Sequence, residues 1–271
     1  MTSGVGAAGA AYLAASRGIL ESVERQLAAI GQAADWMAAT ILAGRMVHVF
    51  GSGHSRIMVE EMWPRYGSFP GFNPLVELSL TFHNPVVGSN GQRQAMFIEN
   101  VSGLAERILR NFDVTDRDSA LVISSSGCNT VPVEMARELR RRSVKVVGLV
   151  SRRHSEATPT RSPDGCKLSD HCDLVLDTGA PVGDAMVRID GLDTPVSPGS
   201  TVGGCLVVNT LKAEIAARLT AAGQPPLVLS SGAVVGAQRA TELFEAAYDN
   251  HAHRLARLYE RVGSSGNTDN R

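Results

Sequence analysis

The chain has 271 residues and a formal net charge of −1, with 26 Lys and Arg against 27 Asp and Glu. That balance argues against partners held by bulk charge, such as nucleic acid or an anionic membrane surface. The length allows one large domain, or two small ones, that buries roughly 70–75% of the unfolded chain's surface; no stretch approaches the ~20 apolar residues of a membrane span.

In chain order, residues 1–10 are small and polar and read as a disordered N-terminus without the basic segment or apolar core of a signal peptide. Residues 12–43 place Leu13, Leu20, Val23, Leu27 and Ile30 near i, i+3, i+4 steps. This predicts one long helix, with Gly31 marking a kink or break and Gly44 the end. Residues 46–50 form a short apolar strand, followed by the turn Gly51-Ser52-Gly53-His54-Ser55 and a helix stopped at Pro64. Residues 69–74, punctuated by Pro and Gly, read as loop, 75–82 as the second strand and 83–94 as loop. A helix is expected over 95–112, and strands over 120–123, 144–150 and 174–176. Further helices are expected over 130–142, over 201–221 with Ser200 as its N-cap, and over 236–261. The tract 181–199 reads as a long loop with a short strand at 186–189, and 263–271 as a disordered tail.

Several of these strands are continuous apolar runs, and they alternate with helices. Both traits mark a parallel sheet covered on both faces, an α/β three-layer α-β-α sandwich. No repeat or linker divides residues 11–262, which are expected to form a single domain. In such sheets ligands bind beyond the carboxyl ends of the strands, and two hydroxyl-rich turns lie there. The second is Ser124-Ser125-Ser126-Gly127-Cys128-Asn129-Thr130. A helix start leaves N–H groups unpaired and carries partial positive charge, so these residues can surround one phosphate with donors.

Other ligand classes match less well. Gly51-Ser52-Gly53 opens like a dinucleotide fingerprint, but Arg56 stands where its third glycine belongs. No GK[ST] and no G-x-S-x-G occur, which excludes the phosphate loop of nucleotide hydrolases and the hydrolase elbow. Cys166 and Cys172 flank His171, a hint of a metal or a disulfide, against the plainer reading of cytosolic thiols. No cofactor and no metal are expected, and the protein is read as cytoplasmic.

The ordered set of Gly-Ser-Gly-His-Ser, Ser-Ser-Ser-Gly-Cys-Asn-Thr and Ser200-Thr201 resembles the SIS (sugar isomerase) domain family over about residues 30–222. The resemblance is greatest to its phosphoheptose-isomerase-like members and to a poorly characterised branch of the family. It implies a flavodoxin-like, five-stranded parallel sheet between helices and a sugar phosphate as partner. It also implies a homodimer or homotetramer whose sites include residues of a neighbouring subunit. Ser124, Ser125, Ser126 and Thr130 would bind the phosphate. Ser52, Gly53, His54, Ser55, Ser200 and Thr201 would contribute to the phosphate or sugar site. The family often places Ser or Thr two or three positions after the motif glycine; here Cys128 and Asn129 intervene between Gly127 and Thr130.

Aldose–ketose isomerisation through an enediol needs a base for the proton beside the carbonyl and an acid for the oxygen. Glu99 and Glu61 are the candidate bases. Glu99 is read as lying near the start of its helix, where the dipole favours an acid. His83 and His251 are candidates for the acid or ring-opening group, and Asp184 for orienting sugar hydroxyls. The alternatives are a non-catalytic phosphosugar sensor, or a deaminase, deglycase or lyase on the same fold.

Overall fold

The computed structural model describes residues 6–81 and 92–260. Five parallel strands form one sheet in the order β2-β1-β3-β4-β5: β1 Val47–Gly51, β2 Phe72–Leu75, β3 Ser119–Ile123, β4 Lys145–Val150 and β5 Leu174–Asp177. Pairing is in continuous register, Val47 opposite Ser119 and Ser119 opposite Lys145. Alternate residues serve opposite faces. Val47, Val49, Leu121, Ile123, Val147 and Leu149 pack into one core with α2 (Leu27–Leu42) and α9 (Ser200–Ala221). Phe50, Ala120, Val122, Val146 and Val150 pack into a second core with α6 (Leu104–Leu109) and α7 (Thr130–Arg141). Apolar side chains on both faces explain why the strands read as unbroken apolar runs.

The N-terminal helical stretch is two helices, α1 Ala7–Glu24 and α2, rather than one. The break falls at Arg25-Gln26, and Gly31 lies inside α2. Gln26 uses the break to pin the edge strand β5: its amide donates to the Asp177 carbonyl (2.9 Å) and accepts the Asp177 N–H (2.7 Å).

Two further expectations are corrected. The second strand is β2, three of whose four residues fall in the stretch read as loop, while Leu78–Thr81 of the expected strand forms the short helix α4. Pro74 lies in β2, and β2 is an edge strand, where a missing N–H is tolerated. The expected helix over 95–112 is two helices, α5 Gln92–Ile98 and α6. Glu134 of α7 fixes the interruption: its carboxylate accepts from the Ser102 hydroxyl (2.5 Å) and the Gly103 N–H (2.8 Å), capping α6 from outside. Helices α3 Arg56–Met62, α8 Arg152–Ala157, α10 Gly232–Val235 and α11 Ala237–Tyr259 complete the described fold. No described helix is long and apolar enough to cross a membrane.

Helix α9 meets the end of β5 so closely that position 203 admits no side chain. A Cβ on Gly203 would lie 1.8 Å from the Thr178 carbonyl oxygen. Gly203→Ala must push α9 off the sheet, and urea denaturation should show a loss of about 1–3 kcal/mol. An unchanged midpoint would show that this contact can relax freely.

Candidate functional site

Strand order reverses between β1 and β3, and a cavity of about 350 Å³ opens beyond their carboxyl ends. This is the crevice where α/β sheets bind ligands, and its volume is at the small end of the roughly 300–1,000 Å³ typical of ligand sites. The turn after β1 contributes Ser52, Gly53, His54 and Ser55; the turn after β3 contributes Ser124, Ser125, Ser126 and Asn129. The two hydroxyl-rich turns therefore share one cavity on one rim. Glu99, His154, Thr178, Asp184, Ser200 and Thr201 close it, and no lysine or arginine lines it among the described residues.

The local backbone explains the first turn. A Cβ on Gly51 would lie 2.7 Å from the Ser55 carbonyl oxygen, so only glycine lets the chain fold back this tightly. A single turn of 3-10 helix, Gly53–Ser55, follows, closed by the Ser55 N–H to the Ser52 carbonyl (3.1 Å).

The second turn is pinned from below. Ser151 N–H donates to the Ser125 carbonyl (2.9 Å) and Leu168 N–H to the Gly127 carbonyl (2.8 Å). The Ser124 hydroxyl oxygen accepts the Gly127 N–H (3.2 Å), and that of Ser126 accepts the Cys128 N–H (3.3 Å), leaving both hydroxyl protons to donate elsewhere. The Ser125 hydroxyl is buried without a protein partner. The Ser125 and Ser126 N–H groups donate to no acceptor among the described residues. Backbone N–H groups left unspent beside a cavity are what an anion-binding nest requires. The helix start adds less than its sequence promised, because Val131 N–H is spent on the Glu99 carbonyl (2.9 Å) and Pro132 has none.

Thr130 is a correction. It is buried, its hydroxyl donates to the Arg161 carbonyl (3.2 Å), and it does not line the cavity.

Glu99 follows the last residue of α5 instead of lying near a helix start. The helix dipole there opposes a negative charge, so specific donors must hold it. The Ser52 hydroxyl donates to Oε1, and the Asn129 amide to Oε2 at 2.5 Å. One carboxylate thus ties the first turn to the second.

Asp184 lines the cavity but serves α9. Its Oδ1 accepts the N–H groups of Gly199 (3.0 Å) and Ser200 (2.7 Å), and Oδ2 accepts the Ser200 hydroxyl (2.5 Å). The cap of α9 comes from Asp184, with Gly199 at the N-cap and Ser200 the first helical residue. Both side chains are committed to this contact, which leaves Thr201 as the hydroxyl facing the cavity from α9.

Glu61 and His251 line no part of the cavity. The Glu61 carboxylate accepts from Arg65 and from Asn209 (2.9 Å). Burial pushes its pKa up, but these bonds outweigh that and hold it below the ordinary glutamate value, which makes it a weak base. His251 packs against Trp63 with ring centroids 5.2 Å apart, and burial, aided by Arg254, lowers its pKa. His83 lies outside the described residues. Asn129 and His154 are cavity residues that the sequence reading did not select. Asn129 sits inside the motif, and His154 lies just beyond β4 at the same rim. Its Nδ1 accepts the Gly183 N–H (3.2 Å).

The four cysteines are free thiols. Cys166 and His171 approach Asp164, but its carboxylate already accepts from Ser162 (2.7 Å), the Cys166 N–H (3.0 Å) and Arg137 (2.8 Å). This is a loop-closing network. The Cys172 thiol donates instead to the Leu168 carbonyl (3.1 Å), and burial and Asp173 push its pKa up to about 12.

A β2-β1-β3-β4-β5 parallel sheet with serine-rich turns meeting at its switch point defines a class, and the sequence comparison agrees with it. The chain belongs to the SIS domain family, whose profile matches residues 11–151. A UPF0309 protein of Halalkalibacterium halodurans is 34% identical over 82% of this chain and 89% of its own length. A UPF0309 protein of Streptomyces avermitilis is 33% identical over 83% and 88%. Among solved structures, a phosphoheptose isomerase from Francisella tularensis is 18% identical with a TM-score of 0.49, covering 79% of this chain and 98% of that one.

Proposed function

We propose that the cavity binds a sugar phosphate and isomerises it between aldose and ketose forms. The observation that carries this reading is the convergence of both hydroxyl turns on one cavity around a single clamped carboxylate. The phosphate sits on the hydroxyls of Ser124 and Ser126 and the N–H groups of Ser125 and Ser126, with Ser55 opposite; the buried Ser125 hydroxyl reaches it only by turning its side chain toward the cavity. Charge-assisted hydrogen bonds of roughly 1.5–3 kcal/mol each hold it without a lysine. Glu99 removes the proton from the carbon beside the carbonyl, giving an enediol, and returns it to the neighbouring carbon. His54 and His154, the described histidines that line the cavity, serve the oxygens.

A melting-temperature panel of sugar phosphates tests binding, because a ligand of the native state raises the midpoint by mass action. Incubation of the strongest binder in heavy water then tests chemistry. Deuterium at carbon 2 is expected; a binder left unlabelled would make the protein a sensor instead. For the same ligand, Ser126→Ala should weaken binding by about 1–3 kcal/mol in calorimetry, whereas Thr130→Ala should leave affinity unchanged. The reverse pattern would relocate the phosphate toward Thr130.

The protein is further read as a homodimer or homotetramer, since Leu13, Leu20 and Leu27 stand 60%, 43% and 53% exposed along α1 and the start of α2. Light scattering giving the mass of a single chain at micromolar concentration would refute this.

A further inference from the structure

We propose that Arg161 is a positioning residue that fixes the orientation of the Asn129 amide and thereby holds Glu99 in working geometry. The proposal rests on Glu99 being the base. Arg161 lies between α8 and the 3-10 turn Leu168–His171 and does not line the cavity. Its main chain is fastened to the phosphate turn at both ends. Its N–H donates to the Cys128 carbonyl (2.8 Å), and its own carbonyl accepts the Thr130 hydroxyl (3.2 Å). From this anchor its guanidinium Nη1 donates to Asn129 Oδ1 at 2.8 Å.

The chemistry of the pair gives this bond its consequence. An asparagine amide has an acceptor end and a donor end of nearly the same shape, so a flip costs little unless a partner distinguishes them. Arginine has donors only. It draws Oδ1 to itself and forces Nδ2 toward Glu99 Oε2, 2.5 Å away. Glu99, an acceptor only, favours the same end, but without Arg161 this one bond alone holds the amide, which can then swing away from Oε2. With it, Asn129 holds one carboxylate oxygen and Ser52 the other, and each oxygen keeps a lone pair for the substrate proton.

Two readouts test the relay, and the first needs no ligand. In proton–nitrogen spectra of the intact protein, the Asn129 side-chain amide is assigned by its loss in Asn129→Ala. One of its protons should lie at low field in the wild type and in Arg161→Lys. It should move to the exposed-amide position in Arg161→Met, and only part of the way in Glu99→Gln, whose neutral carbonyl is a weaker acceptor than the carboxylate. An unmoved resonance in Arg161→Met overturns the proposal. The second readout is carbon-2 exchange on the strongest panel binder. Arg161→Met should lower kcat by about 10–100-fold with KM within about twofold. Arg161→Lys should restore most of it, and adding Asn129→Ala to Arg161→Met should cost no more than Asn129→Ala alone. A raised KM with unchanged kcat, or additive losses, also counts against the relay. Full exchange by Glu99→Gln would instead remove Glu99 as base, and the amide spectrum would still decide whether Arg161 orients Asn129.

Discussion

Glu99→Gln is expected to lower the proposed isomerase turnover by about 10²–10⁴-fold, the usual contribution of a general base, while leaving the affinity for inorganic phosphate unchanged. The fold should tolerate the change. Glutamine keeps the shape of the side chain; its carbonyl can still accept from Asn129, and its amide can donate to the Ser52 oxygen once that hydroxyl rotates. What it loses is the capacity to take a proton. Glu61→Gln is the control. Its carboxylate is bonded to Arg65 and Asn209 away from the cavity, and turnover should stay within about twofold of wild type. Wild-type turnover in Glu99→Gln, or a large loss in Glu61→Gln, would move the base out of this cavity.

The second large effect belongs to stability. Asp118 and Arg45 form a pair of bonds at 2.9 and 2.8 Å below the amino end of β3, with the Asp118 side chain fully buried and that of Arg45 10% exposed. The buried His48 ring lies beside them, its Nε2 3.6 Å from Asp118 and its Nδ1 3.0 Å from the Asn73 amide. Burial alone would raise the Asp118 pKa, but His48 and Arg45 outweigh it and hold the carboxyl well below the usual aspartate range. Asp118→Asn takes from a nearly buried guanidinium its nearest carboxylate, leaving it the Asp113 carbonyl (2.5 Å) and the Asp113 carboxylate at 3.9 Å, and should cost about 3 kcal/mol in chemical denaturation at pH 7. The sign of the pH dependence follows from the depressed folded-state pKa. The contribution is fully present above the unfolded aspartate pKa of about 4 and is lost as pH falls below it. The gap between wild type and variant should therefore stay constant from about pH 5 to 8 and narrow in acid. A gap that widens in acid would mean that Asp118 is protonated in the native state at neutral pH.

The parts of the structure legible in the sequence are those set by local chemistry. The apolar runs of β1, β3, β4 and β5 and the serine-rich turns after β1 and β3 depend on neighbours in the chain, and they stand where the pattern placed them. β2 was hidden because Pro74 reads as a breaker until the strand is known to lie at the sheet edge. The break between α5 and α6 was hidden because apolar periodicity continues across it. Its cause, Glu134, is more than thirty residues downstream. The same distance effect explains Asp184, whose carboxylate caps α9 from sixteen residues away. It also explains Thr130, whose hydroxyl is drawn off by the Arg161 carbonyl. The motif lies on a turn that lines the cavity, but the division of labour within it is a matter of tertiary contacts. His154 was within reach of sequence reasoning, since the rim rule that selected the ends of β1 and β3 applies equally to the end of β4.

The most direct measurement is a crystal structure of the protein grown in, or soaked with, inorganic phosphate and then the strongest-binding sugar phosphate. The phosphorus should lie beyond the carboxyl end of β3, within hydrogen-bond reach of the hydroxyls of Ser124 and Ser126, with the carbon next to the sugar carbonyl facing Glu99. An ordered phosphate elsewhere on the molecule, with this nest empty at saturating ligand, would contradict the assignment.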